Sequence, residues 1–358
     1  MLTSVPTVRA TLWLAALLTA TVLGEAAQAC QICIPKPTQT LADRLLLSDA
    51  VVLAREDPER PFHFATVEVL HGDPNQIPID AFLNSQARRR LAMDPDAAML
   101  IGRDGKTGKW QTLGIAGGEF EKVTRQVLSF SGDWQPGETN NAARLREFAQ
   151  WLGHEDQRLH ELAYLEVGRA PYATIRSISA DIPLEQVRGM LDDPQYLEWR
   201  SLAILLLGQS TIDADQARVQ RTMLNKQRLS GTLNLDAWAT AYVAITGREG
   251  VEQLSDWYLN DKRRSRGELK AILRALSVLG AGDPDLREPI TTAYRVLLAV
   301  HPRLAPEVAR DLISWAQWDL ATPMRAIRPQ IAEADPLGAY AIDQYLLRAD
   351  VYRETTGD

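Results

Sequence analysis

Trp199-Arg200-Ser201-Leu202-Ala203-Ile204-Leu205-Leu206-Leu207-Gly208 is echoed by Trp238-Ala239-Thr240-Ala241-Tyr242-Val243-Ala244-Ile245-Thr246-Gly247 and by Ala271-Ile272-Leu273-Arg274-Ala275-Leu276-Ser277-Val278-Leu279-Gly280. The closing glycines stand thirty-nine and thirty-three residues apart. That interval fits a unit of two helices and their turns. Each copy ends on Gly, which accepts φ > 0 at a helix C-cap at little cost. Small residues within each copy let neighbouring helices come close. A two-helix unit leaves an apolar face that only the next unit covers, so such an array folds together.

The helical period extends to both sides of the echo. Leu145, Phe148, Ala149 and Leu152 recur at helical spacing, as do Leu159, Leu162 and Ala163. Pro171 suits the first turn of another helix. Further helices are predicted over 184–191, 196–207, 214–226, 235–245, 250–259, 268–279, 286–300, 306–320, 324–331 and 337–347, separated by short turns. Residues 136–358 thus resemble a HEAT- or armadillo-like α-α superhelix, with a non-repetitive helix bundle as the alternative. Pro136-Gly137-Glu138-Thr139-Asn140-Asn141 is a polar break and a natural boundary on its N-terminal side.

Residues 30–135 change period. A short helix is expected over 40–49. Ala50-Val51-Val52-Leu53-Ala54 is an apolar strand, and residues 62–70 alternate as a half-buried strand does. Ile77 to Leu83, Ala97 to Ile101 and Lys109 to Ala116 complete about five strands, with Asp104-Gly105-Lys106-Thr107-Gly108 as a turn. Five short strands suggest a small barrel or sandwich. The order Cys30-Gln31-Ile32-Cys33, Thr40-Leu41-Ala42-Asp43, Ser48 to Ala54, Val67-Glu68-Val69-Leu70-His71-Gly72, Met99-Leu100-Ile101 and Trp110 resembles the netrin-like module, an OB-type barrel also found in tissue inhibitors of metalloproteinases. The resemblance implies that a mature N-terminal cysteine chelates a protease zinc through its amine and carbonyl. This chain departs from it in opening on C-x-x-C rather than C-x-C, and in lacking the later cysteines that staple that terminus. The expected class is therefore mixed and mainly α: a small OB- or netrin-like β-barrel domain followed by the helical array.

The first 29 residues read as an export signal. Arg9 precedes an apolar core, Leu12-Trp13-Leu14-Ala15-Ala16-Leu17-Leu18 through Leu23, and Ala27-Gln28-Ala29 is an A-x-A cleavage site. No other segment is apolar enough to span a membrane, which takes about 20 residues. The expected location is the periplasm or the outside of the cell. Cys30 would then lead the mature chain; a lipid anchor there is a minor alternative, since Ala27 and Gln28 fit a lipoprotein signal poorly. Over all 358 residues, 39 basic side chains stand against 46 acidic ones, a net charge of −7, which argues against a nucleic-acid partner.

Chemistry-bearing motifs are few. Cys30 and Cys33 form a disulfide in an oxidising compartment, tying down the new terminus. The alternative is a soft metal, Cu or Zn, held by the two thiolates; a redox dithiol is a third. No nucleophile elbow, phosphate loop or H-E-x-x-H zinc motif occurs, so the five histidines read as solvated surface. The basic run Lys262-Arg263-Arg264-x-Arg266 offers Arg263 and Arg264 to an anionic partner. Trp315 and Trp318, three apart, share a helix face and are candidate partner anchors, with core packing as their other role. No cofactor follows from this inventory. The expected function is that of an exported, non-enzymatic interaction protein presenting its helical surface to a protein partner. The alternatives are a metal-binding or metalloprotein-inhibiting protein acting through Cys30 and Cys33, and an enzyme with a scattered site.

Overall fold

A computed structural model describes Ile32 and residues 39–73, 78–94 and 96–356. Among these residues lie sixteen α-helices and one four-stranded antiparallel sheet, so the protein is mainly helical. Thr40 and Asp43 open α1 (Leu41–Leu47) with a capping box, each side chain accepting the other's backbone N–H. The chain runs on through β1 (Ser48–Glu56), β2 (Phe64–His71), α2 (Ser85–Met93), β3 (Ala98–Asp104), β4 (Trp110–Ala116) and α3 (Gly118–Ser129).

The strand order is β2-β1-β3-β4, every neighbouring pair antiparallel, with β2 and β4 as edges. Central β1 explains its unbroken apolar run by being covered on both faces. Val51 and Leu53 join Leu100, Leu113, Phe120 and Val123 on one side. Ala50, Val52 and Ala54 join Phe64, Leu83, Met99, Ile101 and Trp110 on the other. The alternation of strand side chains divides a single sequence run between two cores.

Two features of this region differ from expectation. Residues 78–84 form no strand; they pass as an extended segment whose Leu83 N–H donates to Phe62 O at 2.9 Å and whose Leu83 side chain plugs the second core. Residues 118–129, expected in no helix, form α3, which brings Phe120, Val123, Val127 and Leu128 onto the first core.

Beyond residue 141 the helices are α4 (Ala142–Ala149), α5 (Gln157–Gly168), α6 (Tyr172–Ile178), α7 (Leu184–Asp192), α8 (Arg200–Leu207), α9 (Asp213–Arg228), α10 (Leu235–Thr246) and α11 (Arg248–Leu254). They continue as α12 (Arg266–Gly282), α13 (Arg287–Val300), α14 (Ala305–Ser314), α15 (Ala321–Ala334) and α16 (Pro336–Thr356). Helices two apart in sequence lie side by side. One row is α8, α10, α12, α14 and α16; a second is α11, α13 and α15. The three echoed segments fall on α8, α10 and α12, every second helix along the chain and three consecutive members of one row.

The closing glycines of the echo act differently from one another. Gly247 has φ +63° and caps α10 as expected. Gly208 has φ −63°, and Gly280 lies inside α12. Their role is clearance: a Cβ on Gly208 would stand 2.6 Å from Ala241 Cα of α10, and one on Gly280 would stand 2.5 Å from the Trp315 ring of α14. Both glycines let consecutive helices of the row approach. Among the described residues no helix is long and apolar enough to cross a membrane.

Candidate functional site

The basic run sits where the two helix rows part. After α11 a π-helical turn (Ser255–Leu259) and residues 260–265 lead into α12, which Ser265 caps in a box with Glu268. On one side of this turn a polar cleft is lined by Gln227, Arg228, Asp256, Trp257, Asn260 and Arg263. On the other lies a cleft of about 530 Å³, a size within the usual range of ligand pockets. Its floor is apolar, with Leu269, Val300, Leu304 and Ile331, and Arg266, His301 and Arg303 stand along it.

Arg264 is the wall between the two. It is 12 % exposed and fully engaged: Nη2 donates to Gln227 O at 2.7 Å, Nε to Trp257 O at 2.9 Å and Nη1 to Glu268 Oε1 at 3.2 Å. Its guanidinium carbon lies 4.3 Å from the centre of the Tyr258 ring. Arg264 therefore braces α9, the turn after α11 and α12, and its charge is matched by Glu268. Arg263 is the accessible member, with a side chain 90 % exposed that donates to both oxygens of Asp261, at 3.0 and 3.1 Å. Arg266 and Arg303 are exposed and form no ion pair among the described residues. The His301 Nε2 is buried without a partner, and burial holds that imidazole below its ordinary pKa, against the pull of the Asp261 backbone. Arg266 and Arg303 thus stand over an apolar floor that Asp335 also borders, while Arg263, paired with Asp261, lies on the polar cleft. Sequence reasoning found Arg263 but not Arg303 or His301, because the turn before α14 carries no local pattern that ties it to residue 263.

The two tryptophans stand elsewhere. Trp315 is 6 % exposed, stacked at 6.1 Å on Tyr294 and pressed against Gly280, so its ring holds α14 to α12. Trp318 is half-buried against Tyr345 and Tyr352 of α16. Both rings serve packing. Cys30 and Cys33, with the export signal, lie outside the described residues. Among the described residues no cluster of three metal-ligating side chains occurs.

A second polar constellation holds the molecule together. Asp43, Arg144, Glu166 and Arg169 are all buried, two acids and two guanidiniums. Arg144 donates to Asp43 at 2.9 Å, to both Glu166 oxygens at 3.0 Å and to Gln135 O at 2.9 Å. Arg169 reaches Asp43 Oδ1 at 3.0 Å and Glu166 at 2.9 Å, and the Thr40 hydroxyl donates to Glu166. Gly137 N–H completes Asp43 at 2.9 Å. Burial alone would raise the Asp43 carboxyl, but Arg169, the Gly137 N–H and Arg144 outweigh it and hold the group at about 2. The Pro136–Asn141 break is thus bonded into a neutral joint between α1 on one side and α4 and α5 on the other.

One histidine is placed against expectation. His160 is buried rather than solvated, its Nδ1 accepting the Gly153 N–H at 2.7 Å and its ring lying 4.1 Å from Trp199 and 4.6 Å from Tyr196. Burial, with a small push from His154, brings its pKa down to about 4. It is a neutral packing residue. No family model, curated protein or solved structure matches this chain, and its function is argued from its own geometry.

Proposed function

We propose that this is an exported interaction protein whose helical region is a HEAT-like array, and that the clefts flanking the 260–265 turn receive an acidic segment of a protein partner. The observation that carries the reading is the alternation of the rows, in which α8, α10, α12, α14 and α16 pack in succession. A helix row of this kind exposes a long continuous surface, which is how stacked repeats engage partners. Arg263, Arg266 and Arg303 supply donors suited to carboxylates, and Leu269, Leu304 and Ile331 supply apolar area beneath them. The small sheet and its joint fix the N-terminal end of the array.

The reading is tested with a photo-crosslinking side chain at Arg263 or at Arg303 in the exported full-length protein, with Glu59 on the sheet side as the control position. One discrete adduct from both cleft positions, absent from Glu59 and lost in the Arg266→Glu variant, is the expected result. Adducts of the same pattern from all three positions would overturn it.

A further inference from the structure

A surface helix carries one apolar face and one polar face. Helix α16 carries two apolar faces. Gly338, Ala339, Ile342, Tyr345, Leu346 and Ala349 point inward onto α14 and α15. On the opposite side Leu337 is 84 % exposed, Tyr340 63 %, Leu347 59 % and Val351 53 %. With half-buried Gln344, these positions step by three and four residues. They form a seven-residue pattern with Leu337, Gln344 and Val351 in one column and Tyr340 and Leu347 in the other. A 21-residue helix is about 31 Å long, so the stripe runs most of its length. Nothing among the described residues covers it.

We infer that this stripe pairs with the same stripe of a second copy of the chain, the two α16 helices running parallel about a two-fold axis. Three observations choose that occupant. The spacing is that of a coiled-coil seam, which requires an equally long, regular helix opposite. Val351 in the first column with Leu347 in the second favours two strands, and Gln344 on the axis meets its own copy, a polar pair that fixes register. The flanks are of opposite sign: Asp343 and Asp350 line one side, and exposed Arg348 stands on the other, without an acid partner among the described residues. In a parallel pair each Arg348 comes beside the other copy's Asp343, which already holds Arg328 at 2.7 Å. An antiparallel pair would set acid against acid and Arg348 against Arg348.

Sedimentation of the full-length mature protein over a dilution series tests this. A concentration-dependent dimer is expected, abolished by Leu347→Asp and weakened at least tenfold by Arg348→Asp, with unchanged melting of the monomer because both side chains point to solvent. Orientation is read by oxidative crosslinking of Leu337→Cys and Val351→Cys, at opposite ends of the stripe. In a parallel pair each variant links to itself at the introduced site, identified by mass spectrometry of the joined peptides. A protein that stays monomeric throughout, a dimer that survives Leu347→Asp, or an absence of self-links at both ends would each overturn the inference.

Discussion

Arg169 Nη2, at the end of α5, lies 3.0 Å from Asp43 Oδ1 in the first turn of α1, and both side chains are buried. The pair joins residues 126 positions apart across the polar 136–141 break. Glu166 and Arg144 close it into a neutral quartet. Breaking one member of a buried ion pair strands the other, and costs about 3–5 kcal/mol. Asp43→Asn is expected to lower the unfolding free energy by an amount in that range, read from the midpoint and slope of denaturant unfolding. Arg169→Gln should do the same alone, while the double variant should cost less than the two singles added, because the stranded charge is removed with its partner. Additive losses in a double-mutant cycle would show that the two groups do not act together.

Two buried groups, His160 and Asp43, titrate well below their unfolded values and so make the fold acid-sensitive. His160 moves from 6.5 to about 4. Its contribution is complete above pH 6.5 and is lost as pH falls through 4; the shift is worth roughly 3 kcal/mol. Asp43 moves from 3.8 to about 2, so its share, about 2 kcal/mol, is complete above pH 3.8 and disappears as pH falls through 2. Melting temperature should therefore begin to fall below pH 6.5, well before ordinary carboxylates protonate. His160→Gln keeps an acceptor for the Gly153 N–H and removes the imidazole; its melting temperature should fall less steeply than that of the wild type between pH 6.5 and 5, His301 supplying the remaining slope. A slope equal to that of the wild type would assign the acid sensitivity elsewhere.

Gly280 and Gly189 separate clearance from backbone freedom. An added Cβ at Gly280 meets the Trp315 ring at 2.5 Å, and that ring is pinned by Tyr294. Overpacking of this kind costs about 1–3 kcal/mol. Gly189, inside α7, has nothing within 4 Å of the same atom. Gly189→Ala should stabilise by up to about 1 kcal/mol through helix propensity. Gly280→Ala should destabilise and also shift tryptophan emission as the indole is displaced. Equal melting temperatures for the two variants would remove the clearance argument.

Much of the fold was legible from local pattern because it depends on near neighbours along the chain. Ala50 to Ala54 reads as an apolar strand, and the echo locates three consecutive helices of one row. Helix α3 was written just as plainly, in Phe120, Val123, Thr124, Val127 and Leu128, but it follows two strands so closely that a β-rich reading absorbs it. The joint was not legible. Asp43, Arg144 and Arg169 look like solvated charges, and their partners are distant in sequence. The only hint is Glu166, set between Leu165 and Val167 in an apolar run. His160 hides for the same reason, since Tyr196 and Trp199 reach it from the 194–199 turn, some forty residues further along the chain. The cleft was half-read: the 262–266 run marks one wall, and only folding brings Arg303 and His301 to the other.

Asp311 offers a prediction of the opposite sign. The carboxylate is buried on α14, accepts the Ser277 hydroxyl at 2.8 Å and the Tyr294 hydroxyl at 2.8 Å, and has no cation bonded to it among the described residues. Burial raises its pKa, against the lowering effect of the two hydroxyls. A raised folded-state pKa means that the group favours folding fully below pH 3.8, and that this contribution is lost as pH rises through the folded value. At neutral pH the chain carries a buried charge with two hydrogen bonds and no counterion. Asp311→Asn keeps the shape and one acceptor, and its amide can donate to the second hydroxyl, so no polar group is stranded. The variant should melt a few degrees above the wild type at pH 8, and the difference should vanish at pH 3.5. Asp311→Ala, which strands both hydroxyls, should instead be destabilised at either pH. A wild type more stable than Asp311→Asn at pH 8 would mean that an unseen cation completes the site, and a gain in melting temperature on adding a divalent cation would then distinguish that case.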